Sequence, residues 1–327
     1  MKKTEEYKEN DLLSLVYKIV TVNGEMIKGN GEDSYSHIVN ERYGFFGVFD
    51  GCGGIGSRKY EEFDNKTGAY IASRVVSDMS YEWFMDFCNR GEPLSEHLIC
   101  GLLEDMREFL IENLVIVDAC VKTTAIKGSL TKKFPTTSAL ALCEYQQGFL
   151  EVCFVWAGDS RGYVLTKDGL VQVTIDDVSG NMDAMSNLSD DGRLTNVISA
   201  NGDFKLNHKI ITISQPTILI TATDGCFGYF STPMEFEYML VETLTMSYNL
   251  ENWQGRLDQY IRQYTGDDYT MCITICGYKK FSALKKAYIS RKQQLYTDYI
   301  SKLNTANLDK KNKLWKQYKK AYYQGAE

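Results

Sequence analysis

Several aspartates stand at the ends of apolar segments that resemble β-strands. Asp50, Asp159 and Asp224 each close such a segment, and Asp267 with Asp268 opens one. Strand ends are rigid mounts, and carboxylates gathered at one rim of a sheet would repel each other unless a cation neutralised them. Carboxylate oxygens suit Mg²⁺ or Mn²⁺, whereas Zn²⁺ prefers His and Cys. The pattern predicts a hard-metal site, and a set of plain Asp-Gly turns is the alternative.

The stretch FGVFDGCGGIGSR, residues 46–58, places glycines directly after the first of these aspartates. Glycine lets the backbone turn sharply and approach a ligand closely. Gly51, Gly53 and Gly54 could therefore bring a main-chain carbonyl close to a bound cation. We expect this stretch to form one part of the metal site.

Strand and helix signals indicate which elements position these residues. Helices are predicted from Ser57 to about Asn89, from Ser95 to Lys127 and over 233–264, and polar residues 176–209 predict a long surface segment. Strands are predicted at 42–50, 136–145, 148–158, 161–165, 170–174, 216–225 and 269–278. Because helices and strands do not alternate regularly, we expect an α+β fold, a central antiparallel β-sandwich flanked by helices (α-β-β-α).

The composition limits the class of protein. With 327 residues and 44% hydrophobic content, the chain can fill a substantial core. No run approaches the ~18 apolar residues of a membrane span, and the polar start lacks a signal-peptide pattern, so we expect a cytoplasmic protein. Nine scattered cysteines without a CxxC pair predict reduced, buried thiols.

Charge divides the chain into two parts. Residues 281–327 contain eleven Lys and Arg against three Asp and Glu, so they carry +8, and residues 1–280 carry −15 of the total −7. An acidic body argues against nucleic acid as a partner. We predict a main domain at 1–280 and a basic helical C-terminal extension at 281–327. We expect the extension to pack its aromatic residues on the body, and docking of a partner protein or an anionic surface is the alternative.

Six short motifs, in this order, resemble those of the metal-dependent protein phosphatases, the type 2C serine/threonine phosphatases. The resemblance covers roughly residues 15–278, and each motif is weak alone while the ordered set is specific. The motifs are GNGEDSY (29–35), FFGVFDGCGG (45–54), TTSALAL (136–142), AGDSRGYVL (157–165), ILITATDGCF (218–227) and GDDYTMCITI (266–275).

The resemblance implies a site for two Mn²⁺ or Mg²⁺ ions at one end of the sandwich, and a third, weaker ion beside them. It also implies a function: hydrolysis of phosphoserine and phosphothreonine in proteins by water activated between two divalent ions. The ligands matched by position are Asp50, which would bridge both ions, the Gly51 carbonyl, Asp224 and Asp267, with Glu32 and Asp33 acting through water and Asp159 at the third ion.

Two positions depart from the family pattern. Cys52 stands where the family has the His proposed to protonate the leaving alkoxide, and Lys28 stands where an Arg usually grips the substrate phosphate. Lys keeps the charge but loses the bidentate fork. A thiol with a pKa of about 8.5 could in principle donate a proton, so Cys52 is a candidate acid, although an inert small residue is the plainer interpretation.

These departures leave more than one function open. The first prediction is a protein-serine/threonine phosphatase acting on phosphoprotein substrates in signalling. The alternative is a weak or inactive pseudophosphatase that binds phosphoproteins as a scaffold. A third possibility is metal-dependent hydrolysis of a small phosphoester. The complete set of carboxylates favours an enzyme, whereas Cys52 and Lys28 favour the scaffold.

Overall fold

The structure is a computed structural model that describes residues 12–121, 132–146, 148–180, 183–188, 192–303 and 305–323. Within these ranges the strands are β1 (Val16–Gly24), β2 (Ser34–Val39), β3 (Tyr43–Gly51), β4 (Lys59–Tyr60), β5 (Lys66–Thr67), β6 (Thr136–Gln146), β7 (Phe149–Ala157), β8 (Arg161–Thr166), β9 (Gly169–Gln172), β10 (Asn207–Ile213), β11 (Thr217–Ala222) and β12 (Tyr269–Cys276). The helices are α1 (Leu12–Leu15), α2 (Gly68–Arg90), α3 (Ile99–Cys120), α4 (Ala184–Asn187), α5 (Pro233–Met246), α6 (Leu250–Tyr264), α7 (Phe281–Leu295), α8 (Ser301–Leu303) and α9 (Leu308–Tyr322), and a π-helical turn (Tyr296–Ile300) joins α7 to α8.

Two five-stranded antiparallel sheets form the centre of the molecule. The first has the order β1-β12-β11-β8-β9, and the second has the order β10-β7-β6-β3-β2. Apolar side chains from both sheets, among them Phe46, Phe154 and Leu219, fill the space between them. Strands such as β3 and β6 are apolar on both faces because one face meets the other sheet and the opposite face meets helices.

Helices cover both outer faces of the sandwich. α2 and α3 pack Trp83, Phe84 and Leu110 on the second sheet, and α5 and α6 pack Phe236 and Trp253 on the first. This four-layer arrangement confirms the predicted α-β-β-α sandwich. No helix in the described part of the chain combines the length and apolar character that a membrane crossing requires.

Some predicted boundaries differ from the observed ones. The first long helix begins at Gly68 instead of Ser57, because residues 59–67 form the small β4-β5 hairpin and Thr67 then caps the helix by accepting a hydrogen bond from Tyr70 N at 3.1 Å. Residues 233–264 form two helices, since Asn249 caps a new one. The part of the second predicted helix beyond Val121, and residue 147 of the predicted turn, lie outside the described residues.

Besides β4 and β5, three strands of the two large sheets were not anticipated, and neither was the exposure of two thiols. β1, β2 and β10 mix polar and apolar residues, and they occupy sheet edges where one side needs no partner. β10 begins at Asn207, inside the segment predicted to be irregular. The expectation of buried cysteines is wrong for Cys100 and Cys120, which are exposed on α3, and all nine cysteines are free thiols.

The C-terminal extension contributes to the core of the first sheet. Tyr288, Leu314, Tyr318 and Tyr322 are nearly fully buried in the same cluster as the strand residues. The buried Arg291 guanidinium donates to both oxygens of Glu237 on α5, at 2.7 and 2.8 Å. Aromatic packing and this ion pair attach the extension to the acidic body, while the domain boundary after residue 280 remains a prediction.

Candidate metal and phosphate site

One end of the sandwich collects the carboxylates. Asp50 lies at the end of β3, Asp224 follows β11, Asp159 lies between β7 and β8, and Asp267 precedes β12. Antiparallel pairing within each sheet, and the packing of one sheet on the other, bring these strand ends to the same rim. They border a cavity of about 590 Å³ whose lining includes Asp50, Gly51, Cys52, Asp159, Asp224 and Asp267.

The carboxylates are close enough to repel one another. Burial raises the pKa of Asp50 well above its ordinary value, and the neighbouring charges of Asp33 and Asp224 raise it further. Burial raises the pKa of Asp159 in the same way, followed by repulsion from Asp224. An ensemble of this kind is stabilised by a bound cation, because the cation offsets both the desolvation and the mutual repulsion.

Asp33 and Glu32 lie near the same carboxylates, since Asp224 and Asp268 act on Asp33, and Asp267 and Asp268 act on Glu32. Burial raises the pKa of Asp33 to about 8, although the Thr223 hydroxyl donates to Asp33 Oδ2 at 2.8 Å. Glu32 lines the cavity, and its carboxylate accepts a hydrogen bond from Thr67. Asp33 is buried and is not among the lining residues of the cavity.

The donor set fits a divalent hard cation. Asp159 Oδ1 is buried, and no described group donates a hydrogen bond to it. A buried carboxylate oxygen without a partner is costly, and a cation would satisfy it. All the candidate ligands are oxygen atoms, as Mg²⁺ and Mn²⁺ prefer. Within the described residues no three Asp, Glu, His or Cys side chains already enclose one point as metal ligands do.

Glycines allow the loops at this rim to pack closely. A Cβ atom on Gly51 would lie 2.4 Å from the Ala69 carbonyl oxygen, and one on Gly53 would lie 2.2 Å from Glu32 Oε2. Neither glycine has a φ in the left-handed region. Close approach to neighbouring atoms explains these two glycines.

Asp268 has a structural role that differs from that of its neighbour Asp267, although the two residues are adjacent in the sequence. Its two carboxylate oxygens accept hydrogen bonds from the Met26 and Glu32 backbone N–H groups, both at 2.7 Å. Asp268 therefore holds the loop that carries Glu32 and Asp33 against the rim. The adjacent Asp267 is exposed and lines the cavity.

The two residues that depart from the family pattern lie in different places. Cys52 lines the cavity beside Asp50, and burial together with the surrounding carboxylates raises the pKa of its thiol well above the ordinary value. Lys28 is exposed in the loop after β1 and is not a lining residue. Two basic residues that sequence reasoning did not identify, Lys132 and Arg193, line the cavity instead. Lys132 also pairs with Asp203 at 2.5 Å.

The chain is similar to known proteins in its structure, and no similarity to them is found from its sequence. No protein-family model matches the chain, and no curated protein sequence matches it. Solved structures do match. The serine/threonine phosphatase Stp1 from Staphylococcus aureus has a TM-score of 0.57 at 15% identity, covering 85% of this chain and 100% of its own. The S. agalactiae serine/threonine phosphatase gives 0.57 at 14%, covering 80% and 99%.

A third match is the serine/threonine phosphatase PstP/Ppp of Mycobacterium tuberculosis, with a TM-score of 0.53 at 15% identity over 81% of this chain and 100% of its own. A catalytic domain of PstP that matches with a TM-score of 0.50 at 18% identity was solved with two manganese ions. These identities are low, so what they establish is architecture. The chain has the fold of the bacterial serine/threonine phosphatases.

Proposed function

We propose that this chain is a protein-serine/threonine phosphatase of the metal-dependent type, using two Mn²⁺ or Mg²⁺ ions. The observation that carries the proposal is the convergence of Asp50, Asp159, Asp224 and Asp267 on one open cavity at the end of the sandwich. The similarity to bacterial serine/threonine phosphatases supports it, as does the PstP structure with manganese. The predicted cytoplasmic location and signalling role belong to the same proposal.

The residues at the rim would act on the ions in different ways. The Gly51 carbonyl, Asp50, Asp224 and Asp267 would hold the ions, Glu32 and Asp33 would act through water, and Asp159 would serve a third ion. Bound there, the ions would lower the pKa of water and offset charge on a phosphoryl group. Carboxylates on strand ends keep their geometry during the reaction, because each strand is hydrogen-bonded into a sheet.

Substrate phosphate needs a positive partner in the cavity. The resemblance assigns this role to Lys28, while Lys132 and Arg193 are the described basic residues that line the cavity. Arg193 offers the planar fork that matches a phosphate bidentately, which Lys28 lacks. We propose Arg193 as the stronger contact, and Lys28 as a peripheral charge.

Cys52 keeps the scaffold alternative open. Without ions, burial and the surrounding carboxylates raise the pKa of its thiol, and divalent ions bound beside it would oppose that rise. An alkoxide leaving group needs a proton, whereas an aryl phosphate releases a stabilised phenolate. If no group replaces the missing histidine, the chain would hydrolyse aryl esters and bind phosphoproteins with little turnover.

The decisive experiment measures phosphate release with Mn²⁺ from a phosphothreonine peptide and from 4-nitrophenyl phosphate. Wild type and Asp224→Asn are compared, with Asp168→Asn as the matched control, because Asp168 is exposed in the turn between β8 and β9 and is not part of the cavity lining. Turnover of both substrates that Asp224→Asn abolishes supports the phosphatase. Aryl turnover alone supports the scaffold, and no Mn²⁺-dependent turnover of either ester refutes the enzyme.

A further inference from the structure

Residues 192–197 form one side of the cavity. We call the described residues 176–180, 183–188 and 192–197 the wall segment. Leu194, Thr195 and Val197 line the cavity together with Arg193. The wall segment folds back on itself, since Val178 and Leu194 form an antiparallel bridge and Thr195 N donates to Asp177 O at 2.8 Å. Residues 183–188, which do not line the cavity, contain the short helix α4, and we call them the outer part of the wall segment.

The last helix of the C-terminal extension contacts this outer part directly. Trp315 Nε1 donates to Asp183 Oδ1 at 2.9 Å, and Lys319 Nζ donates to Asp183 Oδ2 at 2.5 Å. Tyr323, at the end of α9, accepts a hydrogen bond from Ala184 N at 2.7 Å through its hydroxyl. These three residues are four positions apart, so they lie along one face of the helix.

Asp183 links that face of α9 to the wall segment. Its side chain also accepts from the backbone N–H groups of Met185 and Ser186, which makes it the N-cap of α4. A four-residue helix is marginal by itself, because too few hydrogen bonds offset its ordering entropy. The position of α4 therefore depends on groups outside the wall segment.

A second route connects α9 to the base of the wall segment. The Tyr322 hydroxyl donates to Gln172 Oε1 at 2.9 Å, and Gln172 Nε2 donates to Asp176 Oδ1 at 3.3 Å. Asn187 Nδ2, at the end of α4, donates to Asp176 Oδ2 at 2.8 Å. Asp176 is buried and pairs with Arg161, two residues from Asp159.

α9 is held in place by its packing, so it provides a fixed position for these contacts. Leu314, Trp315, Tyr318 and Tyr322 are all buried in the core of the first sheet, and Asn307 caps the helix by accepting from Lys310 N at 3.0 Å. A helix fixed in this way can hold a loop that has little regular structure of its own.

We propose that α9 positions the wall segment, and that the C-terminal extension thereby determines how well phosphorylated protein segments bind at the cavity. This inference rests on the proposed function for its substrate class. A phosphoprotein segment extends beyond its phosphate and must lie against the wall, whereas a small aryl ester reaches only the carboxylate rim. Asp183, Trp315, Lys319 and Tyr323 act as positioning residues and do not touch the reacting atoms.

The test uses the full chain carrying Lys319→Gln and Tyr323→Phe, which removes two contacts to the wall segment and keeps the aromatic packing. The matched control is Lys316→Gln with Lys320→Gln, two exposed lysines of the same helix. The first readout is amide hydrogen exchange over residues 183–188, which needs no catalysis. The second is KM and kcat for a phosphothreonine peptide and for 4-nitrophenyl phosphate.

We expect faster exchange over residues 183–188 in the test variant and not in the control. We also expect KM for the peptide to rise by roughly 5-fold, the equivalent of about one lost hydrogen bond, while kcat and the aryl phosphate kinetics stay within about twofold. Unchanged exchange would overturn the positional link. Faster exchange with an unchanged peptide KM would overturn its effect on substrate binding.

The phosphatase proposal can fail while the proposal about α9 holds, and the two outcomes can be distinguished. If wild type does not hydrolyse the peptide, whether or not it hydrolyses the aryl ester, the peptide Kd measured by fluorescence anisotropy replaces KM, with the same expected rise in the test variant. An unchanged Kd then overturns the substrate-binding part, and hydrogen exchange still decides the positional part.

Discussion

Arg161 and Asp176 form a bidentate ion pair that is almost fully buried beside the cavity. Arg161 Nε and Nη2 donate to Asp176 Oδ1 and Oδ2 at 2.9 and 2.6 Å, and the guanidinium lies 4.2 Å from the centre of the Phe227 ring. Both side chains are 2% exposed. The pair joins the start of β8 to the base of the wall segment.

Removal of one partner should be costly. We expect Arg161→Met to lower the free energy of unfolding by about 3–5 kcal/mol, because Asp176 would be left as a buried, unpaired charge. The double variant Arg161→Met/Asp176→Leu should recover most of the loss. Urea unfolding of the three proteins measures this, and equal stability of the two variants would contradict it.

The residue at position 52 should control activity on poor leaving groups. We expect Cys52→His to raise kcat for a phosphothreonine peptide by about tenfold or more, since a general acid contributes at least that much, with little change for 4-nitrophenyl phosphate. Cys52→Ser is the control, because it keeps the size and supplies no imidazole. A parallel rise for both esters would mean that the histidine acts on something other than the leaving group.

The phosphate-binding cation can be identified by comparing single variants. We expect Arg193→Ala to raise KM about tenfold, because it removes a charge-assisted contact inside the cavity, and Lys28→Ala to change KM by less than about twofold. Steady-state kinetics with the peptide provides the comparison. The reverse order would restore Lys28 to the role that the family resemblance assigns.

The C-terminal extension should depend on one buried ion pair. Arg291→Met should lower the free energy of unfolding by about 3–5 kcal/mol, because Glu237 is fully buried and would lose its cationic partner, keeping only the hydrogen bond from the Tyr318 hydroxyl among its described side-chain contacts. Lys292→Met on the same helix is the control, since its 3.7 Å pair with Glu242 is more exposed and should matter by less than about 1 kcal/mol. Thermal and urea unfolding of both variants measure the two losses of stability. Equal losses for Arg291→Met and Lys292→Met would contradict the prediction.

The contact of Asp183 with α9 should weaken in acid. Burial alone would raise the pKa of Asp183, but hydrogen bonds from Lys319 and Trp315 outweigh it and lower the pKa below the ordinary value. A carboxyl whose pKa is lower in the folded state adds stability above its unfolded pKa, and this stability is lost as the pH falls through the folded pKa. Wild type should therefore exceed Asp183→Asn in stability near pH 7 and lose that advantage as the pH falls from the unfolded Asp pKa of about 3.9 through the lower pKa of the folded state. Urea unfolding at several pH values would detect a pH-independent difference, which would contradict the assignment.

Much of the architecture was predictable because its signals are local. Continuous apolar runs identified β3, β6, β7, β11 and β12, and an aspartate at the end of a run identified the residues that meet at the rim. The edge strands β1, β2 and β10 escaped prediction because a strand with one free edge can carry polar residues. Lys132 and Arg193 escaped because nothing in their local sequence marks them as cavity residues.

Residue types and their local spacing specify the chemistry available to this protein: oxygen ligands at strand ends, a thiol in place of an imidazole, and a basic, aromatic C-terminal segment. Which of these groups meet depends on how the strands and helices pack together. Asp50 and Asp224 are 174 positions apart in the chain, and Asp183 and Lys319 are 136 apart. Contacts at such separations depend on sheet pairing and on the packing of α9 into the core, which no local pattern specifies. For that reason the carboxylate rim could be anticipated, whereas the attachment of the wall segment to the last helix could not.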